Sequence, residues 1–326
     1  MNDQDQIGAK STSKRRGRGC LRWFGISLGA LLGLALVGYI YEPLAEAGDA
    51  KAYPPPGQLV DVGGYRLHIN CTGTASPTVV IVAGLGDWST TWEGYVQPEV
   101  AKTTRVCTYD RAGMGWSEAA PLPSDAAQFA KELHTLLQNT NVPGPYVMVG
   151  HSLGGFVVRI FAHDYASEVS GVVLIDSMNP KQVTPSLSNA QAQQYSFQAV
   201  LARFGIGRLL VKLGIFPSVP EAAYYPLYIR PQSLRASANE SQGLPASAAE
   251  AAAVKTFGDL PLIVLTAKLN DIPGWPEWQT ELLELSSNSQ HLFAENSGHT
   301  IQVDEPEAAV AAILQMVQQV RETETR

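Results

Sequence analysis

A chain of 326 residues with 23 Lys and Arg against 30 Asp and Glu, 45% hydrophobic and with 3 Cys, is long enough for one large core or two small ones. Disorder, a collagen helix and a disulfide-stapled miniprotein are thereby excluded. The net charge of -7 is unevenly spread. Lys10, Lys14, Arg15, Arg16, Arg18 and Arg22 precede an acidic body, and a body of that sign makes a poor nucleic-acid binder.

The first element in chain order is Phe24 to Tyr41, 18 residues without a charge. That length suits a membrane span, and the basic residues before it assign residues 1–21 to a cytoplasmic tail and 22–41 to the anchor. The body is then expected outside the cytosol. A cleaved secretory signal is the competing reading, with Ala45-Glu46-Ala47 as the processing site, but the apolar run is long for a signal core. Arg15-Arg16 as a twin-arginine address and Cys20 as an acylation site are weaker readings. Residues 42–57, with Pro43, Pro54, Pro55 and Pro56, read as an extended spacer.

A hairpin is expected next, with Leu59 to Val62 and Tyr65 to Asn70 flanking Gly63-Gly64. Apolar runs follow at Thr78 to Ala83, Val106 to Tyr109, Tyr146 to Val149 and Val172 to Ile175. They are continuous rather than alternating, as in parallel strands buried on both faces. Ser124 to Gln138 has helical spacing behind an N-cap candidate. Two further strands, Leu262 to Thr266 and His291 to Ala294, and a helix from Pro306 to about Val320 complete the series, with Asp304 as its start signal. Strand and helix in alternation predict an α/β fold with a mostly parallel, doubly wound sheet. Its core spans 58–178 and 260–326, and the largely helical stretch 179–259, which includes Phe204, Phe216 and Tyr224, reads as a lid. Cys71 and Cys107 fall on predicted strands, as a disulfide if the body is exported and otherwise as two buried thiols.

The strand ending near Val149 runs into Gly150-His151-Ser152-Leu153-Gly154-Gly155 and then a helical stretch. G-x-S-x-G at a strand-to-helix turn lifts its serine above the sheet, and the glycines permit the sharp backbone. At the start of the helix, the Leu153 N–H is free to bind an oxyanion. A serine hydroxyl needs a base, and His299, in the Asn296 to His299 loop after the last strand, stands where the chain order serine, acid, histidine puts it. His151 is expected to point away from the serine. His68, His134, His163 and His291 fall within predicted elements.

Taken together, Ala83-Gly84-Leu85-Gly86, Asp110-Arg111-Ala112-Gly113-Met114-Gly115-Trp116-Ser117, the turn at Ser152 and Ser297-Gly298-His299 resemble the α/β-hydrolase superfamily, of the lidded serine esterase or lipase type. The resemblance covers residues 58 to 320 and does not specify a substrate. It implies a second oxyanion donor at the backbone N–H of Leu85, with Ala83 standing where relatives carry a histidine. It also implies a structural role for Asp110 to Ser117, with Asp110 and Arg111 pairing locally. For the acid two residues compete. Asp176 ends the sixth strand; Asp271 follows the seventh, where the superfamily usually places its acid, but one residue beyond the common position at Asn270. Asp176, at a rigid strand end, is the better placed.

Serine, histidine and aspartate with two backbone donors imply acyl transfer to serine and then hydrolysis. No metal or cofactor is expected: there is no H-E-x-x-H, paired CxxC or phosphate loop. The expected substrate is a hydrophobic ester or lipid, met at a membrane and without nucleic acid. An acyltransferase, an iminopeptidase-like amidase or an inactive hydrolase-fold binding protein are the rival readings.

Overall fold

The computed structural model describes residues 16–121, 124–215 and 225–324. Lys10, Lys14 and Arg15 of the basic tail, and Phe216 and Tyr224 of the expected lid, lie outside them. The chain begins with α1 (Arg16–Ala52), whose Leu21–Ala52 portion is long and apolar enough to cross a membrane by length and composition. Its leucines, such as Leu31, Leu34 and Leu36, are exposed.

The spacer expected over 42–57 needs correction, because α1 continues through Pro43 to Ala52 and only the residues after it are irregular. One proline removes a single helical hydrogen bond. The alanine-rich segment behind it favours helix, and the Arg208 guanidinium grips Glu42 at 2.9 Å and Asp49 at 2.6 Å, two turns apart on one face.

Eight strands form one sheet: β1 (Gln58–Asp61), β2 (Arg66–Thr72), β3 (Thr78–Val82), β4 (Val106–Tyr109), β5 (Tyr146–His151), β6 (Val169–Ile175), β7 (Leu262–Ala267) and β8 (Ser289–Ala294). Their spatial order is β1-β2-β4-β3-β5-β6-β7-β8. β1 and β2 form an antiparallel hairpin, β2 pairs antiparallel with β4, and from β4 to β8 every pairing is parallel. Cys71 and Cys107 face each other across β2 and β4 and are joined in a disulfide.

The helices after α1, among the described residues, are α2 (Thr90–Glu93), α3 (Val96–Ala101), α4 (Ala126–Asn139), α5 (Gly154–Asp164), α6 (Pro185–Ala202), α7 (Ile206–Lys212), α8 (Tyr225–Tyr228), α9 (Pro231–Ala253), α10 (Trp275–Leu282), α11 (Ile301–Asp304) and α12 (Pro306–Glu324). Side-chain alternation along each strand feeds two apolar layers. Val80 and Val82 join Leu133, Phe156 and Leu244 of α4, α5 and α9 on one face. Val79 and Ile81 join Val100 and Ile313 of α3 and α12 on the other. Both faces are covered, which is what the uninterrupted apolar strands required.

Asp125 caps α4 by accepting from the Gln128 N–H at 3.0 Å, whereas one helix start differs from expectation. Asp304 ends α11 instead of starting α12, and its carboxylate turns back to accept from the Gly298 N–H and Thr300 hydroxyl, both at 3.2 Å. The start signal was thus a brace on the loop that carries His299.

Candidate active site

β5 ends in a turn where Ser152 has φ 50°, a left-handed backbone that a side chain rarely adopts. The glycines around it allow the crossing: a Cβ on Gly154 would lie 2.2 Å from the Val82 carbonyl oxygen. Ser152 Oγ stands 3.0 Å from His299 Nε2, across 147 positions of sequence. His299 Nδ1 stands 2.7 Å from Asp176 Oδ2.

Asp176, fully buried at the end of β6, also has a positive φ, 39°. Its Oδ1 accepts from the Ala267 N–H at 3.0 Å and the Trp275 indole at 2.7 Å, and its Oδ2 from the Asn270 amide at 2.8 Å as well as from His299. A carboxylate so surrounded by donors is held in one orientation. Asp271 is exposed and makes no hydrogen bond to His299. Asn270, at the position where the superfamily commonly carries its acid, instead donates to Asp176.

The expectation that His151 points away is corrected. Strand alternation would separate neighbours, but the left-handed turn at Ser152 breaks it, and the His151 ring lies 4.8 Å from that of His299. His151 Nε2 is 2.9 Å from the His299 carbonyl oxygen, which only accepts, so this nitrogen carries the proton. Nδ1 is buried and has no hydrogen-bond partner among the described residues. Burial, followed by the adjacent His299, holds the His151 imidazole well below its usual range and therefore neutral.

Local pairing of Asp110 with Arg111 is also corrected. Asp110 accepts from His68 Nδ1 at 2.9 Å and from the N–H groups of Ser89 and Trp116. Arg111 turns to the loop after β3, donating to the carbonyls of Ala83 at 2.6 Å and Gly84 at 2.5 Å, and to Glu240 of α9. In that loop the Leu85 N–H, like that of Leu153, donates to no other group among the described residues. The remaining histidines have structural partners or lie at the surface: His134 is stacked on Tyr165, His291 meets Thr266, and His163 is exposed.

Ser152 and His299 open onto a cavity of about 630 Å³ whose wall includes Leu85, Tyr95, Tyr228 and Val303. Asp87 also reaches it, a residue that nothing in the sequence singled out. Its carboxylate accepts from the Thr91 hydroxyl and the Trp88 N–H, both at 2.9 Å, and burial pushes it up to about 6. Among the described residues no group of three or more His, Cys, Asp or Glu side chains is arranged to hold a metal ion.

Residues 77–212 match the family model described as the alpha/beta hydrolase fold. An uncharacterized protein of Schizosaccharomyces pombe is 27% identical over 286 residues, 77% of this chain, and the chain spans about half (53%) of that relative's length. A thermophilic esterase from Thermogutta terrifontis superposes with a TM-score of 0.65 at 21% identity, covering 81% of this chain and 98% of that one. The epoxide hydrolase CorEH superposes with a TM-score of 0.63 at 21% identity over 81% and 98%. With the sheet order, these findings show that the chain has the alpha/beta hydrolase fold, which the family model matches over residues 77–212.

Proposed function

We propose that this protein is a serine hydrolase that cleaves carboxylic esters of hydrophobic small molecules or lipids, tethered to a membrane by α1. The observation that carries the reading is the hydrogen-bonded series Ser152, His299, Asp176 at the mouth of an otherwise largely apolar cavity. In this reading Ser152 Oγ attacks the ester carbonyl and His299 Nε2 takes its proton. The Leu85 and Leu153 N–H groups receive the developing oxyanion. His299 then protonates the departing alcohol, and water releases the acid from the acyl-serine by the same steps. Asp176 keeps the His299 proton on Nδ1 and favours the imidazolium.

A serine at the turn separates this chemistry from that of hydrolases that use a carboxylate to form an ester with their substrate. Helices α6 to α9 would then form the lid. The disulfide fits a body outside the cytosol, since such bonds persist in oxidising compartments. p-Nitrophenyl esters of increasing acyl length, each with its matched amide and thioester, test the assignment in the full chain in detergent. Esters turned over preferentially, with turnover lost in Ser152→Ala, support it. Amides as the better substrates, or equal turnover by the variant, would refute it.

A further inference from the structure

Arg111 and Glu240 form an ion pair at 2.6 Å whose side chains are 1% and 2% exposed. Such a pair contributes little stability beyond what apolar residues of the same volume would supply. Its partners indicate another use. Arg111 donates to the carbonyls of Ala83 and Gly84, and Glu240 Oε2 accepts from the Gly86 N–H at 2.9 Å, so the bonds fall on both sides of Leu85.

The Gly84 carbonyl and the Leu85 N–H belong to one planar trans peptide and point in opposite directions. Holding the carbonyl against Arg111 therefore turns the N–H away from Arg111. Gly84 itself packs against Ser152: a Cβ added there would lie 3.2 Å from the Ser152 Cβ. Gly86 packs on α9, where an added Cβ would lie 3.1 Å from Ser237 Oγ.

Resting on the hydrolase reading, we propose that Arg111 and Glu240 are positioning residues that aim the Leu85 N–H at the oxyanion, which makes α9 a working part of the site and not merely its cover. The ion pair joins the loops after β3 and β4 to a helix some 129 residues further along. The oxyanion donor is then set only when α9 is seated.

The test is the double variant Arg111→Met/Glu240→Leu, which replaces the pair by apolar side chains and leaves no buried charge unpaired. Active sites are counted by fluorophosphonate titration, and kcat and KM are expressed per titrated site. Loss of a whole oxyanion donor costs roughly 10²–10³ in kcat. A misaimed donor should cost about 10- to 100-fold with KM little changed. A folded double variant whose kcat per site stays within about twofold of wild type, or one whose loss is all in KM, overturns the proposal. Should the double variant not fold, Glu240→Gln decides: it removes the negative charge and puts an NH2 donor in place of one of the two acceptor oxygens that hold Arg111 and the Gly86 N–H, so a drop in kcat per site supports the proposal and an unchanged value overturns it. Wild type that neither labels nor turns over esters would remove the hydrolase reading itself, whereas active wild type with indifferent variants removes only this assignment.

Discussion

Among single residues, Asp176 and Asp271 give the sharpest contrast. Only Asp176 lies within hydrogen-bond reach of His299, at 2.7 Å, so Asp176→Asn should lower kcat by on the order of 10⁴ and Asp271→Asn by less than about twofold. Comparable losses in the two would contradict the geometry. In the sequence, Ser152 and His299 were legible because a motif and a chain order fix them. The acid was legible only as a preference for Asp176 over Asp271, since its orientation depends on a left-handed backbone at position 176 and on donors from Asn270 and Trp275, about a hundred residues away. His151 was missed for a related reason, because the turn at Ser152 overrides strand alternation.

His151 also yields a pH prediction. Its folded-state affinity for a proton is held below that of the unfolded chain, near 6.5, so stability is fully present above that pH and is lost as the pH falls. Between pH 7 and 5, wild type should lose roughly 2 kcal/mol more than His151→Gln in urea unfolding in detergent. Equal losses would show that the imidazole protonates in place.

For whole elements, continuous apolar runs marked the parallel strands, and the two buried faces account for that pattern. Long-range docking was invisible: α1 continues past Pro43 because Arg208, some 160 residues on, grips it. Gly243 gives another case. It looks like a helix-weakening residue, yet a Cβ there would stand 2.1 Å from the Ser124 carbonyl oxygen, so α9 seats on the core only with glycine at that position. Gly243→Ala should destabilise the fold by about 1–3 kcal/mol despite alanine's higher helix propensity, as thermal unfolding would show. A stabilised variant would mean that α9 does not seat there. The Cys71–Cys107 bond spans 36 residues. In the chain-entropy account, the Cys71→Ser/Cys107→Ala pair should lose about 4 kcal/mol, whereas a negligible loss would indicate that the thiols are reduced in the native protein.

For the whole molecule, the order of segments could be read directly: an apolar N-terminal run, an α/β body and a helical insertion between β6 and β7. The manner in which they join could not, because the contacts of α1 with Arg208 and of α9 with Arg111 depend on side chains far apart in sequence. The tether is tested by alkaline carbonate extraction of cells carrying an N-terminally tagged chain. The tag should stay in the membrane fraction at full length; a soluble body without its tag would mean that the segment is removed as a signal. Central to the whole account is that the hydroxyl at 152 is activated by His299. A fluorophosphonate probe followed by peptide mapping tests this most directly. The predicted result is a single adduct on Ser152 that forms in wild type, slows by orders of magnitude in His299→Ala and vanishes in Ser152→Ala; an adduct elsewhere, or none in wild type, would contradict it.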